Sequence, residues 1–202
     1  MTGMLAFNAD WPVIKRSTKA DRDRILNTIV LGFSMDPTCR WLYPEPEQFL
    51  AHFPTLIRLF GGRAFDHDGA YHTDDYLGGA LWLPPGVHPD EEGLTALFRE
   101  TFAGAMLDDV FSLFEQMDSF HPDEPCWHLT FVAVDPARQG NGYGSRLLKH
   151  TLAVCDSNRE LAYLESSNPA NLSLYRRHGF ELIGTIQAGS SPPLFPMVRQ
   201  PR

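Results

Sequence analysis

Cysteine is scarce in this chain. Cys39, Cys126 and Cys155 are the only three, far apart, in no CxxC pair and at no spacing with histidine that zinc would use. An odd, dispersed set speaks against a disulfide framework and a zinc site, so no metal is expected and a reducing, cytoplasmic setting fits. Basic charge is short as well: seventeen Lys and Arg against twenty-five Asp and Glu give a formal charge of -8, with no Lys/Arg-rich run. That balance argues against nucleic acid as a partner. Long apolar runs are also missing. No segment approaches roughly 18 uninterrupted apolar residues, and the opening "MTGMLAFNADWPVIKRS" lacks a basic stretch followed by a continuous apolar core, so neither a signal peptide nor a membrane span is expected.

What is present is ordinary for one globular domain. The 202 residues are 43% hydrophobic, 12% aromatic and 21% charged, enough to bury a sizeable core. A single domain over 1–202 is expected, as a monomer or a homodimer. The pattern predicts a first strand at "WPVIKR" and a helix over "KADRDRILNTIVLGFSMD" capped by Ser17 or Thr18. Prolines 37, 44 and 46 then interrupt regular helix, and a second helix is expected from about Glu47 to Phe60. "GAYHTDD" and "LGGALWLPPG" read as an antiparallel pair, and "PDEEGLTALFRETFAGAM" and "DDVFSLFEQMDSFH" as two aromatic-rich helices. From residue 126 the order becomes strand, glycine turn, helix, strand, helix, closed by a strand pair at "FELIGTIQ" and "LFPMVRQP".

The glycine turn is the informative stretch. "RQGNGYGSRLL" places Gly140, Gly142 and Gly144 at alternate positions where a helix is about to start, although glycine inside a helix costs roughly 1 kcal/mol against alanine. A turn whose amides converge on one concavity binds an anion, and a helix N-terminus behind it adds a positive dipole. The expected ligand is therefore a phosphate or pyrophosphate. A P-loop is ruled out, because Gly144 is followed by Ser145 and Arg146 instead of Lys and Ser/Thr. A dinucleotide fingerprint fits poorly, since its third glycine falls on Ser145 or Leu147, although Glu165 lies where a ribose-binding acid would sit.

Gln139-Gly140-Asn141-Gly142-Tyr143-Gly144 resembles the Q/R-x-x-G-x-G/A signature of the GNAT superfamily of acyl-CoA N-acyltransferases. Asn171, Tyr175 and Gly179-Phe180 repeat the N-x-x-x-Y-x-x-x-G-F pattern that closes the family's coenzyme site. Within the superfamily the likeness is to the puromycin N-acetyltransferase group, through "DPTCRWLYP", "ALWLPPG", "LESSNPANLSLYRRHGFE" and "PMVRQP". The resemblance implies an α/β (α+β) fold: a mixed sheet of about seven strands, flanked by helices and splayed at the acyl-CoA site. It implies acetyl-CoA as cosubstrate and a small-molecule amine as acceptor, with the acceptor bound by the N-terminal half and acyl-CoA by 126–202.

By the same resemblance, the backbone amides from Gln139 to Gly144 hold the coenzyme A pyrophosphate, flanked by Arg138 and by the helix from about Ser145. The strand before the loop meets the pantetheine arm at Val132 and Val134, and Asn171 touches the same arm. Tyr175 takes the place of the general acid that protonates the leaving thiolate, as a phenol of ordinary pKa about 10 can at neutral pH. For the base, strict alternation along "WHLTFVAV" puts His128, Thr130, Val132 and Val134 on one face, opposite Trp127, Leu129 and Phe131. His128 stands fourteen residues before Gly142, where several family members carry a catalytic glutamate. Glu165 competes with it, and could instead orient the histidine or cap the next helix. Asp36, Trp41 and Tyr43, with Phe111, Phe114 and Met117, are candidate acceptor-pocket walls, and Asp36 or Asp123 a candidate amine anchor. A noncatalytic acyl-CoA-binding domain is the alternative from another class.

Overall fold

The alternating apolar segments pair into one seven-stranded sheet, seen in a computed structural model that describes residues 12–202. The elements run β1 (Ile14–Arg16), α1 (Arg22–Gly32), α2 (Pro37–Leu42), α3 (Pro46–Gly61), β2 (Ala70–Thr73), β3 (Gly78–Leu83), α4 (Glu91–Thr101) and α5 (Gly104–Phe120). They continue β4 (Cys126–Val134), α6 (Tyr143–Asn158), β5 (Leu161–Ser166), α7 (Leu172–Arg177), β6 (Glu181–Leu182) and β7 (Phe195–Arg199). The strand order is β1-β2-β3-β4-β5-β7-β6, with β4 and β5 parallel and every other pair antiparallel. Trp11, the expected first residue of β1, and most of the opening segment lie outside the described residues. Among the described residues no helix is long and apolar enough to cross a membrane.

Each face of the sheet has its own apolar cluster. On one, Leu81, Phe131 and Ala133 pack with Ile29, Phe53 and Phe98 from α1, α3 and α4. On the other, Trp82, Trp127 and Leu129 pack with Leu147, Leu148 and Leu152 of α6. Leu152 is 4% exposed and the other five are at most 7%, so each side chain contributes roughly 1.5–3 kcal/mol relative to exposure. Gly32 lets α1 lie tight on the sheet, since a Cβ there would stand 2.8 Å from that of Ala133.

Three departures from the sequence reading shape the site. The first is α2, where interruption is expected: Pro37 sits in its first turn, where a missing N–H costs nothing, and the Asp36 carboxylate accepts from Thr38 N and Cys39 N. Accordingly α1 stops at Gly32 instead of reaching Asp36. The second is the break between α4 and α5, which falls at extended Phe102 and Ala103, several residues before the expected boundary at Met106.

The third is a β-bulge in β4. Leu81 faces Phe131 and the next residue, Trp82, faces Leu129, so Thr130 is an extra residue with no partner on β3. Strict alternation fails there. Trp127 and Leu129 face α6, whereas Phe131 and Ala133 face the α1/α3 side. His128 therefore shares a face with Phe131, touching Phe60 of α3, and not with Val132, which packs toward α6.

Candidate active site

The loop after β4 is held open by its glycines. Gly140 and Gly142 have φ of 77° and 81°, a region closed to most side chains, and α6 starts directly at Tyr143, two residues before the expected Ser145. The first amides of a helix have no carbonyl four residues back, so those of Tyr143, Gly144 and Ser145 open on the space before α6. Asn141 makes bonds within the loop. Its backbone N–H goes to Arg138 O at 3.4 Å and its side-chain amide to the carbonyls of Arg138 and Gln139, so it braces the loop from within. Gln139 Nε2 donates to Val134 O, Tyr143 OH donates to Asp75 Oδ2 on the β2–β3 turn, and Ser145 Oγ meets His178 Nε2 at 2.8 Å. A cleft of about 490 Å³ lies over this loop, bounded by Arg138, Gly140, Gly142 and Gly144 on one side and Asn171, Leu174 and Arg177 on another.

The cleft exists because the sheet parts. The parallel ladder of β4 and β5 runs only from Cys126↔Leu161 to Leu129↔Leu164, after which β4 continues five residues without β5. Val132 and Val134, paired with β3 alone, lie on that stretch and border the cleft. Val132, Asn171 and Tyr175 also border a narrow throat of about 100 Å³ leading inward. Tyr175 is 6% exposed. Burial, and then the Asp36 carboxylate, push its phenol well above the ordinary value, so it stays protonated through the neutral range. Asp36 has a second bond beyond the cap: Ser167, just after β5, donates its hydroxyl to Asp36 Oδ2 at 2.6 Å. This contact clasps α2 to the β5–α7 loop across the throat.

Beyond the throat opens a chamber of about 350 Å³ between α3, α4, α5 and the sheet. Phe60, Phe114, Met117 and Glu165 border both spaces. His128 lies on the chamber wall, its Nε2 2.8 Å from Glu165 Oε2, the two side chains 8% and 5% exposed. A carboxylate accepts, so Nε2–H donates to it and the lone pair of the neutral ring is on Nδ1. His121 stands beside it, ring centroids 5.4 Å apart. Burial and then the neighbouring His128 hold the His121 imidazole below its ordinary pKa. Cys126, within reach of His121, has its thiol pushed up to about 12, chiefly by burial, and is an unreactive packing residue.

The structure thus gathers Tyr175, Glu165 and His128 along one passage, with the loop residues at its outer end. Glu165 does not cap the following helix, whose lead-in turn is capped by Asn168 through Ala170 N. Of the expected acceptor walls, Phe111, Phe114 and Met117 line the chamber. Trp41 and Tyr43 do not; they border a separate cavity of about 230 Å³ with His52 and Phe102. Asp36 is no amine anchor, because its carboxylate is held by two backbone amides and Ser167, and Asp123 is exposed outside the chamber lining. Sequence reasoning missed Ser167, Phe60 and Arg177. Only the basic last turn of α7 offered a signal, for Arg177. Among the described residues no group of three or more His, Cys, Asp or Glu is placed to hold a metal ion.

This architecture defines a class. The family model "Acetyltransferase (GNAT) family" matches residues 41–180, and the chain belongs to that family of acetyltransferases. It is 25% identical over 210 residues to an uncharacterized N-acetyltransferase of Schizosaccharomyces pombe, covering 93% of this chain and 83% of that protein. Among solved structures, a histone acetyltransferase and related acetyltransferase of Corynebacterium glutamicum has 26% identity and a TM-score of 0.68, with 95% and 97% of the two chains covered. The polyamine N-acetyltransferase of Drosophila melanogaster, at 13% identity and a TM-score of 0.65 over 93% and 99% of the chains, has the same fold.

Proposed function

We propose that this protein transfers the acetyl group of acetyl-CoA to a primary amine of a small molecule, by direct attack in a ternary complex. The observation that carries the reading is the single passage from glycine loop to chamber, with Tyr175 where cleft meets throat and Glu165 where throat meets chamber. The chain's residues fit the cosubstrate: a left-handed glycine loop, the start of α6 and Arg138 suit a pyrophosphate, and the β4 edge that β5 leaves free suits an amide-bearing arm. When bound, the thioester supplies an electrophilic carbonyl. His128, oriented by Glu165, takes a proton from the ammonium, and the freed amine forms the new C–N bond as the C–S bond breaks. Tyr175 gives its proton to the departing sulfur, which leaves as the free thiol, and the second proton, shed by the acylated nitrogen, restores the Tyr175 hydroxyl and leaves the neutral amide, while His128 releases its proton to water. Three buried, free cysteines suit a reducing setting. The likeness to the puromycin N-acetyltransferase group rests on the quoted stretches, and puromycin itself does not follow from it.

The test is a mixture of primary amines and acetyl-CoA, with release of free thiol followed by a chromogenic reagent and the protein's melting temperature recorded with acetyl-CoA alone. Amine-dependent thiol release is expected. A raised melting temperature with no thiol from any amine would overturn the enzyme in favour of an acyl-CoA-binding domain.

A further inference from the structure

One side of the chamber is lined by aromatic rings. From His128 a chain of rings runs outward: Phe60 stands edge-on to it at 5.7 Å, Phe114 meets Phe60 at 5.9 Å, and Phe98 meets Phe114 at 4.8 Å. Phe111 then meets Phe98 at 6.3 Å. The rings meet at interplanar angles of 90°, 86°, 53° and 78°, so they do not lie in one plane, and Phe60, Phe98, Phe111 and Phe114 all line the chamber. Charge is confined to the two ends. Glu165 and His128 form the deep end, while Glu91 and Asp118 are exposed in water at the rim.

Resting on the acetyltransferase reading above, we infer that the acceptor is a compact amine with a flat aromatic body, bound with its nitrogen at His128–Glu165 and its ring among Phe60, Phe98, Phe111 and Phe114. A planar ring gains edge-to-face contact on this wall that a flexible alkyl chain of the same length does not. A second cation in mid-chain, as in a linear polyamine, would lose its water among these rings with only cation–π attraction in return, since the lining carboxylates are Glu165 at the deep end and Glu91 and Asp118 at the rim. Size points the same way. The chamber's roughly 350 Å³ is near the lower end of the ~300–1,000 Å³ usual for small-molecule sites, room for one or two rings. These walls stand on α3, α4 and α5, and Phe111 is only half-buried, so changing it alters the chamber while leaving the coenzyme cleft untouched.

The experiment compares a primary amine carrying a phenyl ring two methylenes away with a straight-chain monoamine, a linear triamine and a short lysine peptide. Thiol release gives kcat/KM for each, and calorimetry on protein saturated with coenzyme A gives affinity without needing turnover. The aryl amine should exceed each other acceptor at least ~10-fold in both measures. Phe111→Ala should remove most of that margin by raising the aryl amine's KM and Kd, with the KM for acetyl-CoA unchanged. A triamine or peptide that binds or reacts better, or a margin that survives Phe111→Ala, overturns the inference. Aryl-amine binding without turnover would uphold the chamber's specificity while refuting catalysis, so the two failures are separable.

Discussion

The glycine-loop cleft, proposed for the coenzyme, and the aromatic chamber, proposed for the acceptor, meet at one throat but are built of different material. The cleft is mostly backbone: a glycine loop, the first amides of α6 and a length of β4 that pairs with no strand on its β5 side. The chamber is mostly side chain, with aromatic rings brought together from α3, α4 and α5. A backbone site leaves a local trace, because only glycine takes the required φ and the residues must be contiguous. A side-chain site assembled from separate helices leaves less: the sequence groups Phe111, Phe114 and Met117 of α5, but not Phe60 or Phe98 from the other two helices. The cleft suits one fixed ligand, whereas the chamber can change its ligand by changing single rings.

Substitutions should divide along that line. The largest effect is expected from Tyr175→Phe, which keeps the ring's packing and removes its proton: kcat should fall about 10²–10³-fold, with the KM for acetyl-CoA within about twofold of the parent. Steady-state kinetics decide it, and an equal loss of acetyl-CoA affinity would make Tyr175 a wall of the cleft instead of its acid. Next comes Gly142→Ala. At a φ of 81° an L-residue carries roughly 1–2 kcal/mol of strain, so acetyl-CoA should bind about tenfold more weakly while acceptor KM stays put, the reverse of Phe111→Ala. A Gly142→Ala protein with unchanged acetyl-CoA affinity would remove the loop from the cosubstrate site. The smallest effect belongs to Ser167→Ala, which opens the clasp on Asp36 while leaving the α2 cap in place. Loss of one hydrogen bond to a carboxylate should cost about 1–2 kcal/mol in denaturant unfolding. Because the clasp spans the throat, both substrates' KM values should rise a few-fold. A shift in only one would tie the clasp to a single compartment.

The strand count, the strand–loop–helix unit after residue 126 and the place of the glycine loop were legible, because each rests on local periodicity or on backbone demands that few residues meet, whereas Tyr175 is singled out only by the family resemblance. The other misreadings each have a physical cause. Pro37 reads as a breaker unless the Asp36 cap ahead of it is weighed, since proline suits the first turn of a helix. The partnership of Phe60 with His128 and that of Ser167 with Asp36 join residues 68 and 131 positions apart, and no spacing rule reaches that far.

The bulge at Thr130 has a consequence best put as parity. Side chains on a strand are odd or even, and whichever set faces the helices of one layer is fixed for the whole length of the strand. By adding one residue within β4, the chain lets its lower half and upper half obey opposite parities. His128 can then look toward the aromatic layer while Val132, an even number of residues later, looks toward α6. One strand thereby serves two packing layers on opposite sides of the same sheet. Deleting Thr130 would restore a single parity, and the strand could no longer put both residues where they now stand.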